Sequence, residues 1–156
     1  MLSKKKSLNI EESIASLMFE DAYLKAMEIG IDKCWDKWSN SLCYKKPVEM
    51  YSFLMYCIAR DERAVFHFYI FQLLIFVRPF FDDPYVLAYW HMKRALTIEP
   101  DNTDIMRWIL KTFEPYPERF MSNKEIVDLA NQILTICPND AKGLEIKAKY
   151  QQLDSD

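Results

Sequence analysis

Glycine is scarce in this sequence: Gly30 and Gly143 are the only two among 156 residues, where average usage would give roughly eleven. Tight hairpin turns, phosphate-cradling loops and nucleophile elbows depend on glycine, because it adopts positive φ and lets backbone approach a ligand closely. Those devices are largely excluded. Histidine is also short, with His67 and His91 lying 24 residues apart. No His-Glu-x-x-His spacing, Cys/His cluster or glycine-flanked serine surrounds them. No catalytic residue, metal or cofactor is therefore expected, and both histidines read as core or rim residues.

Paired or patterned cysteines are missing too. Cys34, Cys43, Cys57 and Cys137 form no Cys-x-x-Cys motif, which predicts unpaired, mostly buried thiols in a reducing cytoplasm. Cys43, in a polar connection beside Lys45 and Lys46, is the thiol with a route to exposure. A surplus of positive charge is lacking: the formal net charge is -3, which argues against a nucleic-acid or anionic-membrane partner, since those are held by clustered Lys and Arg. Lys4 to Lys6 read as a solvated end, and the stretch around them has no apolar core of a secretory signal. The longest apolar run, Ala64 to Val77, spans about 21 Å as a helix, short of a bilayer core of about 30 Å.

What the sequence has in quantity is apolar and aromatic side chains, 51% and 15%, set in helical periodicity between proline and Asx boundaries. About eight helices follow, and the fold class is all-α, with residues 1–156 as a single helical domain. The first runs from Glu11 to Ile29, with Ile14, Leu17, Met18, Tyr23 and Ala26 near one face and Gly30 closing it. A short second helix from Asp32 carries Cys34, Trp35 and Trp38. Pro47 suits the first turn of a third, whose stripe is Met50, Phe53, Leu54, Cys57 and Ile58. Asp61 is expected to cap a fourth, apolar helix ended by Pro79. Asp83-Pro84 opens a helix to Ile98, Asn102 or Thr103 caps the next through Phe113, and Ser122 with Glu125 forms a capping box for a helix to Ile136. Ala141 to Leu153 is the last.

The segments Ala95-Leu-Thr-Ile-Glu-Pro-Asp-Asn102 and Ile133-Leu-Thr-Ile-Cys-Pro-Asn-Asp140 repeat one frame 38 residues apart. Such self-similarity marks helical-hairpin repeats. The placing of Ala88, Ala95 and Pro100 resembles the second helix of a tetratricopeptide repeat, and Ala141 to Tyr150 is similar to a first helix with Leu144 and Ala148 in its packing positions. The likeness covers about residues 63–153, so residues 61–153 are expected to form stacked antiparallel hairpins. Residues 1–60 show no such pattern.

The resemblance implies a concave groove lined by the first helix of each hairpin. It would expose Asp104, Arg107 and Lys111 on one helix and Lys142, Glu145 and Lys149 on another, with Trp108 as an aromatic anchor. Four of those six charged residues are basic, a set suited to carboxylates or an acidic peptide. The expected function is non-catalytic binding of one dedicated protein partner, as an immunity or antitoxin-type inhibitor of a toxin. A chaperone or adaptor holding an extended client peptide in the groove is the alternative. Reversing Arg107 and Lys111 to Glu is expected to weaken a groove-bound complex with little change in melting temperature.

Overall fold

In a computed structural model of the chain, the structure describes residues 9–77, 82–116 and 120–153. Among the described residues there are ten helices and no strand. Lys4 to Lys6, Pro79 and Pro117 lie outside them. The chain divides into two compact units, Met1–Tyr85 and Val86–Asp156, so the boundary falls in the first turn of one helix.

The first unit holds α1 (Ile10–Ala15), α2 (Phe19–Ile29), α3 (Ile31–Trp38), α4 (Leu42–Lys45), α5 (Pro47–Arg60) and α6 (Ala64–Phe76). The single helix expected over Glu11–Ile29 is two. Its break is a Schellman motif: the Met18 amide donates to Ser13 O at 2.8 Å and the Leu17 amide to Ile14 O at 3.0 Å, around Leu17 at φ 59. This left-handed position normally takes glycine, because a Cβ there crowds the following carbonyl at about 1–2 kcal/mol. The break also turns Leu17 and Met18 away from the expected apolar face, leaving them 62% and 46% exposed. Gly30, at φ 104, ends α2 and starts α3 at once, a conformation open mainly to glycine. The second additional helix is α4, a single turn.

Pro47 occupies the first turn of α5 as expected, and Met50, Phe53, Leu54 and Cys57 are fully buried. Phe53 is the hub, with the rings of Phe19 at 5.9 Å and Trp38 at 5.8 Å. Burying a side chain of that size contributes about 1.5–3 kcal/mol. The apolar helix α6 buries residues on all sides, including His67 and Ile70. Its N-cap is Arg63, not Asp61: Asp61 instead ends α5, and its carboxylate pairs with the Arg63 guanidinium. Trp35 ties α3 to α6 by stacking on Tyr69 at 4.3 Å and donating its indole N–H to Gln72 Oε1 at 2.7 Å.

The second unit contains α7 (Pro84–Ile98), α8 (Thr103–Phe113), α9 (Asn123–Ile136) and α10 (Ala141–Leu153). Asn102 Oδ1 accepts the amides of Asp104 and Ile105, and the Ser122–Glu125 capping box is fully formed. Each cap satisfies amides that a helix start leaves without intrahelical partners. Ile105, Met106, Ile109, Leu110 and Phe113 of α8 are buried, as are Ile126, Leu129, Ala130 and Ile133 of α9. Ala88, Met92 and Ala95 of α7 are completely buried, and Tyr89 meets Phe113 edge-on at 5.1 Å.

On α10 the packing residues differ from those the repeat pattern suggests. Leu144 is 48% exposed and Ala148 is exposed, whereas Gly143, Ile146 and Tyr150 are buried. Gly143 crosses α9 so closely that a Cβ would lie 2.9 Å from Leu134 Cγ. Glycine here serves close helix approach rather than a turn.

Candidate functional site

Two of the charged residues singled out, Arg107 on α8 and Lys149 on α10, tie the two helices together. Arg107, midway along α8, donates from Nε to Asp140 Oδ2 at 2.5 Å, just ahead of α10. Seven residues further on, Glu114 at the C-terminal cap of α8 receives Lys149 Nζ at 2.5 Å and the Tyr150 hydroxyl at 3.2 Å, near the far end of α10. The middle of α8 meets the start of α10, and the end of α8 meets the far part of α10. Helices α8 and α10 therefore run parallel, with α9 returning between them in sequence and packing on both.

The other predicted residues make their contacts within their own helices. Asp104 is exposed and accepts from Arg107 Nη1 at 2.6 Å. Lys111 lies 5.0 Å from the centre of the Trp108 ring, within cation–π range. Lys142 and Glu145 pair with each other at 2.8 Å along α10. The structure thus brings together Asp104 with Arg107, Trp108 with Lys111, and Lys142 with Glu145, while Lys149 turns to Glu114.

The two acids that the sequence reading leaves out, Glu114 and Asp140, change the electrostatics of the face. Their side chains are only 4% and 8% exposed, so each is a desolvated carboxylate that requires a partner. With them counted, the set holds four cations and four carboxylates, and the basic surplus expected from Arg107, Lys111, Lys142 and Lys149 disappears. Asp140 is held below the usual carboxylate range, first by the backbone N–H of Gly143, which reaches its Oδ1 at 2.9 Å, and then by Arg107. The Asp140 carboxylate in turn raises the Arg107 guanidinium, and Glu114 raises the Lys149 ammonium. Asp140 carried a local signal, since an Asx before a helix is a standard cap. Glu114 carried none, because its partners are 35 and 36 residues away.

Cys43 corrects a second expectation. It is 1% exposed rather than open to solvent, and burial pushes its thiol up to about 12. The neighbouring Lys45 and Lys46 do not activate it. Cys34 and Cys57 are buried as well, and Cys137 is half-buried. His67 is fully buried with Nε2 3.1 Å from Glu62, and His91 is buried edge-on against Trp90. Among the described residues no three His, Cys, Asp or Glu side chains are grouped so as to hold a metal ion, and no helix is long and apolar enough to cross a membrane.

No protein-family model matches the chain, and comparison with curated proteins and with solved structures gives no match.

Proposed function

We propose that this chain is a non-catalytic protein-binding protein, an immunity or antitoxin-type inhibitor that engages one partner toxin domain in the cytoplasm. The observation that carries the reading is the composite face of α8 and α10, two parallel helices stitched by Arg107–Asp140 and Lys149–Glu114. Its charged side chains are already ordered by partners within the chain. A surface whose rotamers are fixed in advance loses less entropy on docking than one that must be ordered by the partner. Trp108 and Lys111 form the aromatic and cationic anchor at its α8 edge, a residue type enriched where binding energy concentrates. The four cysteines without disulfides support a reducing compartment.

The balanced charge favours a folded partner with a mixed surface over a strongly acidic peptide. The second reading, a tetratricopeptide-like chaperone or adaptor, is favoured by the parallel course of α8 and α10. That is the arrangement in which successive first helices line a groove for an extended client.

Affinity purification of the chain from its native cells is the test. One dominant partner at a fixed stoichiometry, lost on Trp108→Ala with Lys111→Glu, is the expected result. Metabolite-dependent or metal-dependent turnover by the isolated chain would overturn the non-catalytic reading.

A further inference from the structure

The first unit contains a cavity of about 320 Å³ bounded by α3, α4 and the end of α6. Its chemistry is one-sided. Among the described residues, Asp36 is the one charged side chain that lines the cavity, and its carboxylate accepts no hydrogen bond and joins no ion pair there. Cys43 also lines the cavity, but burial keeps its thiol protonated, so the wall gains no second charge.

The aromatic lining suits the same kind of guest. Tyr44 and Phe76 leave 57% and 52% of their surface in water, and both border the cavity. Exposed rings beside an unpaired carboxylate attract cations through the negative faces of their π-systems. The indole N–H of Trp35, a donor that would repel a cation, is already taken by Gln72 Oε1 at 2.7 Å. Stacking on Tyr69 fixes that indole in place. Asn40 directs its amide nitrogen to the Asp36 carbonyl at 3.5 Å and to Ser39 Oγ at 3.4 Å, which leaves its side-chain oxygen as an acceptor.

We propose that this cavity receives the guanidinium group of an arginine side chain presented by the protein partner. A planar guanidinium can stack on an aromatic ring while its edge donates in parallel to a carboxylate, whereas a compact, strongly hydrated ammonium can do only one of these well. The volume lies at the lower end of the range for small-ligand pockets, about 300–1,000 Å³, and so is ample for one side chain. The assignment to a protein partner rests on the protein-binding reading above; the affinity for the guanidinium group does not.

The test is titration of the full chain with N-acetyl-arginine methylamide, followed by amide chemical shifts in NMR. Saturable one-site binding is expected, with shifts confined to α3, α4 and the end of α6. The lysine analogue should bind at least about threefold more weakly and the norleucine analogue not measurably. Asp36→Asn and Tyr44→Ala, both at exposed positions, should each weaken binding about tenfold or more with the melting temperature retained. No saturation, equal binding of the norleucine analogue, or unchanged affinity in both variants overturns the pocket. If the probe binds but Asp36→Asn leaves the partner complex intact, the partner's arginine is ruled out while protein binding stands. If no partner is captured and the probe still binds, the protein-binding reading fails and the guanidinium pocket survives.

Discussion

Arg107 grips Asp140, the residue just before α10, and so holds side by side two helices that are separated in sequence by all of α9. The same carboxylate caps α10 through the Gly143 amide. One buried acid therefore serves both a helix start and a helix pairing.

Arg107→Glu is expected to destabilise the second unit by about 1–3 kcal/mol, because it places a carboxylate against one that is nearly buried. Lys111→Glu, at an exposed position whose ring contact is local, should stay within about 0.5–1 kcal/mol. Thermal unfolding of the two single variants separates these effects. From sequence alone, little change in melting temperature is expected of the two reversals together; the Asp140 partner is what makes Arg107→Glu costly.

Acid titration gives a second readout of the same carboxylate. Its folded pKa is depressed, so its contribution is complete above the ordinary value of 3.8 and is lost as the pH falls below that through the folded value. Asp140→Asn should lose stability at neutral pH and show a shallower decline below about pH 4. Denaturant midpoints measured across that range check the prediction.

Gly143→Ala should destabilise the chain even though alanine is the better helix former by up to about 1 kcal/mol. The new methyl group meets Leu134 at 2.9 Å, and overpacking of that kind costs about 1–3 kcal/mol. Leu134→Ala should be damaging alone yet partly rescue Gly143→Ala. A double-mutant cycle by chemical denaturation measures the coupling.

Leu17→Gly should stabilise the first unit by about 1 kcal/mol, since it relieves the left-handed strain at φ 59 while giving up a largely exposed side chain. A fall in the denaturant midpoint would contradict this account of the α1–α2 break.

Thiol reactivity should follow burial. Iodoacetamide at mildly alkaline pH is expected to label Cys137 first in the native chain, with Cys34, Cys43 and Cys57 reacting only after unfolding. Peptide mapping of the alkylated native and denatured chains gives the order directly. Early labelling of Cys43 would contradict its buried position.

Much of the helical architecture was legible because its signals are local. Ser122 and Glu125, Asn102, Pro47 and Pro84 mark helix starts through their own backbone chemistry, and the Met50–Cys57 stripe shows its buried face by spacing alone. The break at Leu17 was not legible, since leucine favours helix and the apolar periodicity runs through it. Asp61 does not cap α6 because α5 runs to Arg60 and takes Asp61 as its end, which leaves Arg63 to precede α6 without a side-chain cap. At the candidate site the seven residues were legible as a surface set, but their electrostatics were not. Glu114 and Asp140 reach them across tertiary distance, and no short-range pattern announces a pairing 33 or 35 residues away.

The central claim, that the α8–α10 face binds one protein partner, is tested most directly by photocrosslinking in native cells. A benzophenone amino acid replaces Lys111 on that face or, as a control, Lys124 at the exposed start of α9. The account predicts one discrete heavier species from the Lys111 position and none from Lys124. No adduct at Lys111, or the same adduct from both positions, would contradict it.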